Sequence, residues 1–290
     1  MPLAGNCLVV KTDMLVGSTD VPPGMTHRQG ARKAVAMCVS DFAAKGVRPD
    51  SFLVSLGLPR TIAKSHVEEM ASGLEDASRE WNVKLVGGDT GEANDLVINC
   101  TMVGFAERAV VGRSGARPGE LVVTTGFFGY PPSGLKIMME GAHARDGFRR
   151  KAVESVVRPR PNLAAGLALG RYLSSSMDSS DGLAICLHDI ARMSRVGLSL
   201  RRTPVRSEVR VFARSNELSL DRLVFGGGEE YLIVGTVAEA RFRSARRAAK
   251  ASGADLVAIG RVTGKRGEVV LREEGGHVRE IPRMGWTHLG

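Results

Sequence analysis

Met177-Asp178-Ser179-Ser180-Asp181-Gly182-Leu183 sets two carboxylates three residues apart around two hydroxyls, at what reads as the entrance of a helix. Beyond it Leu183, Leu187, Ile190 and Met193 recur at intervals of four and three, which makes one apolar stripe, and Gly197 is placed to stop the helix. Asp181 or Ser180 then falls at the N-cap, where a side-chain oxygen accepts from an orphan backbone N–H. Capping needs only one acid. Two acids with hydroxyls between them, at the positive end of a helix dipole, also suit a hard cation carrying phosphate oxygens.

Outward from this stretch, the chain alternates strand and helix. Downstream come a strand near 198–201 and the loop Gly226-Gly227-Gly228-Glu229-Glu230-Tyr231, which feeds an apolar strand over 232–235. A basic helix over 241–250, a strand over 256–262 and the ending Gly285-Trp286-Thr287-His288-Leu289 follow. Upstream lie a helix ending near Tyr172, the break Arg158-Pro159-Arg160-Pro161, a helix after Pro132 and a strand over 121–125. The run Gly112-Arg113-Ser114-Gly115-Ala116-Arg117-Pro118-Gly119 has the composition of a connection, which predicts domains over 1–112 and 113–290.

The first unit begins with a strand over 8–15 carrying Lys11-Thr12-Asp13, then a polar segment through Pro22-Pro23-Gly24. A helix over 29–45, closed by Gly46, carries Asp41; the simplest partner for that carboxylate is Lys45 at i,i+4. Phe52, Val54, Leu56 and Leu58 have the period of a strand with one buried face. Val67, Met70, Leu74, Ala77 and Trp81 stripe a helix over 61–81. A short strand, 83–86, leads into Gly87-Gly88-Asp89-Thr90-Gly91, read as a glycine loop from which Asp89 projects, and a strand over 96–105 returns. This order predicts an α/β fold of the α+β sandwich type, with helices on one face of an N-terminal sheet and a mixed α/β unit after it.

Composition narrows the function classes. The 290 residues are 43% apolar and 24% charged, within the globular range, and the 35 glycines predict many turns and close approaches. No window has 18 uninterrupted apolar residues and no basic segment precedes an apolar run at the start, so neither a membrane span nor a signal peptide is expected; the reading is cytoplasmic. The net charge of +9 is dispersed, without aromatic interleaving, which argues against a nucleic-acid partner. Cys7, Cys38, Cys100 and Cys186 lack metal or redox spacing and read as buried free thiols. There is no P-loop, no dinucleotide fingerprint and no evident Ser-His-Asp set. Asp13, Asp41, Asp89, Asp178 and Asp181 all lie at element ends or in glycine loops, and carboxylates with phosphate oxygens suit magnesium.

Six stretches in this order are similar to the thiamine-monophosphate kinase family, in the superfamily of aminoimidazole ribonucleotide synthetase. They are Lys11-Thr12-Asp13-Met14-Leu15-Val16, Val39-Ser40-Asp41-Phe42-Ala43-Ala44-Lys45-Gly46, Gly87-Gly88-Asp89-Thr90, Asp178-Ser179-Ser180-Asp181-Gly182-Leu183, Gly227-Gly228-Glu229-Glu230-Tyr231 and Gly285-Trp286. The resemblance implies ATP-dependent phosphorylation of thiamine monophosphate to thiamine diphosphate, with Mg2+ ions between the substrates. It implies a homodimer whose N-terminal sheets join into a barrel, with the small-molecule substrates in a cleft between domains. Carried over, it makes Thr12, Asp13, Asp41, Asp89, Asp178 and Asp181 metal ligands, and Arg113 and Ser180 ATP contacts. Asp13, Asp181 and Arg113 then serve the transfer itself. Glu229 and Trp286 become substrate contacts, as does Asp20, which stands where many members have a substrate-contacting histidine.

Two further departures from the family pattern bear on activity. Glu230 replaces the usual aspartate after Glu229. The family also places a Gly-Asp-Asp metal motif just before the first strand, and this sequence starts after it, which leads to the expectation that preceding chain supplies one ligand and that the chain as written is a weak kinase or none. The competing expectations are a catalytically weak or inactive thiamine-phosphate and ATP binder, and a sister ATP-dependent enzyme with another acceptor.

Overall fold

Strand parity and one deeply buried helix organise the first half of the structure, a computed structural model that describes residues 2–3, 6–106, 108–273 and 275–287. Strands β1 (Pro2–Leu3), β2 (Asn6–Val16), β3 (Arg48–Leu58), β4 (Lys84–Glu92) and β5 (Val97–Ala106) form a sheet in the order β1-β2-β5-β3-β4. All neighbours are antiparallel except β3 and β4. Helix α1 (Gly17–Asp20) is a single turn; α2 (His27–Lys45) and α3 (Lys64–Trp81) cover one face.

Helix α2 starts two residues before the sequence reading placed it, because Thr26 and Gln29 form a capping box; left-handed Gly46 closes it as expected. Its small residues, Ala31, Ala34, Ala36, Cys38, Ala43 and Ala44, are buried on several sides of the helix at once. Such a helix is a core element between layers, not a surface cover. The stripe read on α3 is present, with Met70, Leu74, Ala77 and Trp81 buried.

Residues 87–91 are a correction. They are part of β4, paired in parallel with β3 (Val54 beside Gly88, Ser55 beside Asp89), not a loop. A Cβ on Gly88 would stand 2.0 Å from the Val54 carbonyl oxygen, so glycine serves close strand approach there. Every residue of β4 is exposed, as befits an edge strand with no cover.

The second half builds β6 (Leu121–Thr124), β7 (Leu173–Asp178), β8 (Gly197–Leu200), β9 (Ile233–Val237), β10 (Val257–Thr263), β11 (Val269–Arg272) and β12 (Val278–Glu280) into a sheet ordered β12-β11-β8-β10-β6-β9-β7. Between them run α4 (Tyr130–Glu140), α5 (Asp146–Val157), α6 (Leu163–Leu169), α7 (Leu183–Ser194), α8 (Ser207–Ser215), α9 (Leu220–Val224) and α10 (Glu239–Ala251). Both faces are covered: Val123 and Ile233 join the core around α2, α6 and α10, while Val122 and Val234 join the one around α7. The core of the first sheet therefore continues into the second through α2. Among the described residues no helix is long and apolar enough to cross a membrane. The cysteines are free, with Cys7 only partly buried.

Helix α7 departs from expectation at both ends. Its N-cap is Gly182, with no side-chain cap bond, so neither Asp181 nor Ser180 caps it. Left-handed Arg195 ends it, Gly197 belongs to the next strand, and Met193 faces solvent. The two acids of the opening stretch are left for something other than capping.

Candidate active site

Strand β7 delivers Asp178 at its last residue, against α2. Its Oδ2 accepts a 2.8 Å hydrogen bond from Ser40 Oγ. Burial, then the neighbouring Asp41, push its carboxyl up to about 7, although the Ser40 bond and Lys11 oppose them. The chain then turns through Gly182 at φ 119°, a conformation that favours glycine.

Two other segments dock on the turn that this opens. The Glu229 amide donates to Ser180 O at 2.6 Å and the Tyr231 amide to Ser179 O at 2.9 Å, which clasps the 226–231 loop to it. The Trp286 amide donates to Asp181 O at 3.0 Å, and the indole stays half exposed beside it.

From the first sheet, β2 alternates inward Lys11 and Asp13 with outward Thr12. Lys11 Nζ lies 3.1 Å from Asp13 Oδ1 and 2.7 Å from Asp41 Oδ2. Burial alone would lower the Lys11 ammonium, but Asp41 and Asp13 outweigh it and hold the group well above its ordinary value. Burial raises the Asp13 carboxyl; Lys11 partly offsets this, and Asp41 and Asp181 add to it. Asp13, Asp41, Asp178 and Asp181 thus share one electrostatic field around Lys11. Asp41 is not paired with Lys45, whose ammonium reaches across to Ser176 O at 2.8 Å. Burial lowers that ammonium, Asp178 opposes, and Arg113 lowers it further, which brings Arg113 to the same rim.

Two expected ligands stand apart. Thr12 Oγ1 lies 3.1 Å from both Asn99 Oδ1 and Thr101 Oγ1 on the outer face of the sheet. Asp89 is exposed on β4 and accepts from the amide of Thr90 at 2.9 Å. Asp20 spends its carboxylate on the Val16 amide, 2.7 Å away. Among the described residues no three His, Cys, Asp or Glu side chains are gathered into a ready metal cage. The inner acids nonetheless fit a hard divalent cation: they are oxygen donors, and a cation, the Lys11 ammonium, already stands between two of them.

Several members of this site were not singled out from sequence. Lys11 was legible in principle, since it shares strand parity with Asp13. Lys33, Ser40 and Tyr231 were not. Lys33 is buried on α2 and pairs with Glu229. Tyr231 is buried, and its phenol is raised by burial first and then by Glu229, Asp178, Asp13 and Asp20.

Two sheets joined by a buried helix, one covered on a single face and the other on both, with acids gathered where they meet, define a class. Residues 2–106 match the family described as AIR synthase related protein, N-terminal domain. The solved structure of AaThiL complexed with AMPPCP and TMP superposes with a TM-score of 0.87 at 26% identity, covering 100% of this chain and 89% of that one. The thiamine-monophosphate kinase of Nitrosopumilus maritimus is 38% identical over 97% of this chain and 89% of its own length. That of Pyrococcus horikoshii is 34% identical over 97% and 86%. The chain belongs to the thiamine-monophosphate kinase family.

Proposed function

We propose that this chain transfers the terminal phosphoryl group of ATP to thiamine monophosphate, giving thiamine diphosphate, by direct in-line attack assisted by magnesium. The observation that carries this is a cluster of acids where the two sheets meet: Asp13 and Asp41 pair with the Lys11 ammonium, Asp178 lies within the field of Lys11 and Asp41, and Asp181 within that of Asp13. The acceptor phosphate is largely dianionic near neutral pH, so no general base is required. What the chain must provide is charge neutralisation and alignment. The four aspartates would hold the metal, and Thr12 and Asp89 are assigned to it by family likeness alone. Bound Mg2+ supplies neutralisation of the phosphate oxygens as charge shifts between them. Arg113, on the rim beside Lys45, provides a fork for phosphate, and Ser180 offers its exposed hydroxyl to the nucleotide. Glu229 and Trp286, both docked on the same turn, take the acceptor, with the indole face suited to a cationic thiazolium. Asp20 acts here through its backbone oxygen, which accepts from Lys33.

In this reading residues 1–112 hold metal and ATP and provide dimerisation, and 113–290 complete the cleft. The homodimer is supported by the outer face of the first sheet, where Val10, Met14, Leu53 and Phe105 are exposed together beside the uncovered strand β4.

The test is magnesium-dependent ATP consumption across a panel of phosphorylated acceptors. Turnover selective for thiamine monophosphate and lost with chelator is expected. Equal turnover on unrelated acceptors, or none on thiamine monophosphate, would overturn the reading.

A further inference from the structure

Lys33 is a lysine in the middle of a buried helix, with a side chain only 1% exposed. A buried ammonium persists only when paired and hydrogen-bonded. Its Nζ donates to Asp20 O at 2.9 Å and to Glu229 Oε1. Glu229 is in turn held from behind. Its backbone is left-handed at φ 62°, Tyr231 two residues on is left-handed at φ 49°, and both amides are tied to the 179–180 turn. A non-glycine pair in that region persists only where the surroundings dictate it. The carboxylate therefore points inward at α2 with one oxygen engaged. The other, Oε2, is inaccessible to solvent and has no hydrogen-bond partner among the described residues.

We propose that Lys33 is a positioning residue for the acceptor: by holding Oε1 it fixes the Glu229 carboxylate in one orientation and leaves Oε2, unpartnered, for a hydrogen-bond donor on an acceptor that displaces the neighbours now covering it. The inference rests on the reading of Glu229 as an acceptor contact. It adds a mechanical link, because Lys33 and Asp41 ride on the same helix, so the group that orients the acceptor and one that would hold the metal serving its phosphate move together. Without Lys33 the carboxylate loses the cation that holds Oε1 and turns away from this orientation, which takes Oε2 out of place.

The test uses the full chain with Lys33→Met, Lys33→Arg, Glu229→Gln and the double variant Lys33→Met/Glu229→Gln. Measured are melting temperature, KM for ATP and for thiamine monophosphate, and calorimetric Kd for thiamine monophosphate without nucleotide. Lys33→Met is expected to raise the acceptor KM and Kd about tenfold or more while the ATP KM stays within about twofold, and Lys33→Arg to recover part of the loss. Because Lys33 acts through Glu229, the double variant is expected to match Glu229→Gln alone instead of multiplying the two effects. A folded Lys33→Met with unchanged acceptor constants, or with both KM values raised alike, overturns the proposal, as does a multiplicative double variant. If Lys33→Met does not fold, the double variant, which removes both charges of the buried pair, carries the comparison. Should Glu229→Gln itself leave acceptor binding unchanged, the reading of Glu229 fails first. Absence of wild-type turnover on thiamine monophosphate would instead sink the proposed reaction.

Discussion

The two faces of the first sheet differ more than any other two regions of the molecule. One peptide unit separates Asp13 from Thr12, yet Asp13 faces α2, partly buried and held by Lys11, while Thr12 faces outward among exposed neighbours. The inner face is a core with charges at its edge. The outer face is exposed and carries Val10 and Met14, each 56% accessible. The second sheet has no such asymmetry, since both its faces are covered within the chain. The contrast teaches that the first sheet is finished on one side only: its inner side is covered and organised around charge, and its outer side is left open.

The largest expected effect tests the inner side. Asp181→Asn should lower turnover on the order of 10³-fold at saturating magnesium, because one anionic ligand is lost where phosphate charge is neutralised in the transition state. Its melting temperature should hardly move, since Gly182 and not Asp181 is the N-cap of α7. Near wild-type turnover would remove Asp181 from the site.

Charging the outer side should act on assembly first. Val10→Glu combined with Phe105→Glu is expected to weaken self-association by about 100-fold or more, from the repulsion and desolvation of carboxylates in an apolar patch. Sedimentation velocity across a concentration series reads this directly. A species of unchanged mass would show that the outer face is not the contact.

Trp286→Ala should raise the acceptor KM by about tenfold with little effect on that for ATP, since the indole is proposed to meet the thiazolium alone. Parallel rises in both would make the residue structural. The effect is smaller than that of Asp181 because the side chain is 54% exposed and stacking there is partly screened by water.

A last effect, on stability and not on turnover or assembly, belongs to neither face. Burial pushes the Glu230 carboxyl up from 4.5 to about 8, although the Gly129 amide donates to it. Between those values the folded state keeps a proton that the unfolded chain has released. Its contribution is therefore present in acid and is lost as pH rises through this window, with nothing more to lose above it. A few kcal/mol is the scale, since each pH unit of displacement is about 1.4 kcal/mol. Glu230→Gln should reduce the fall in melting temperature between acid and alkaline buffer. An unaltered fall would assign the slope elsewhere.

How much of this was legible beforehand follows from what each element depends on. Helix α3 and strand β3 announce themselves by period, because burial of one face fixes the spacing of apolar residues, whereas α2, buried on several sides, is read from its closing Gly46. The acids of the site were legible as a set from their places at element ends. The strand character of 87–91 was not, because glycine disfavours strands and only pairing with β3 overrides it. The separation of Thr12 from the other expected ligands follows from strand parity, but that of Asp89 needs the register of four strands at once. Lys33 was hidden for another reason. In sequence a lysine reads as solvated, and only the docking of a loop 196 residues away supplies its partner.

Helix α2 also sets a length. An α-helix advances 1.5 Å per residue, so the eight steps from Lys33 to Asp41 span about 12 Å along the axis. A rod of this kind, boxed by Thr26 and closed by Gly46, does not stretch to suit a longer molecule. What the interval between those two positions must keep is therefore a count more than a set of letters. A swap of similar volume in that interval, such as Met37→Leu, costs little. Adding or deleting a single residue there would swing Asp41 by about 100° around the rod relative to Lys33 and leave every residue type in place.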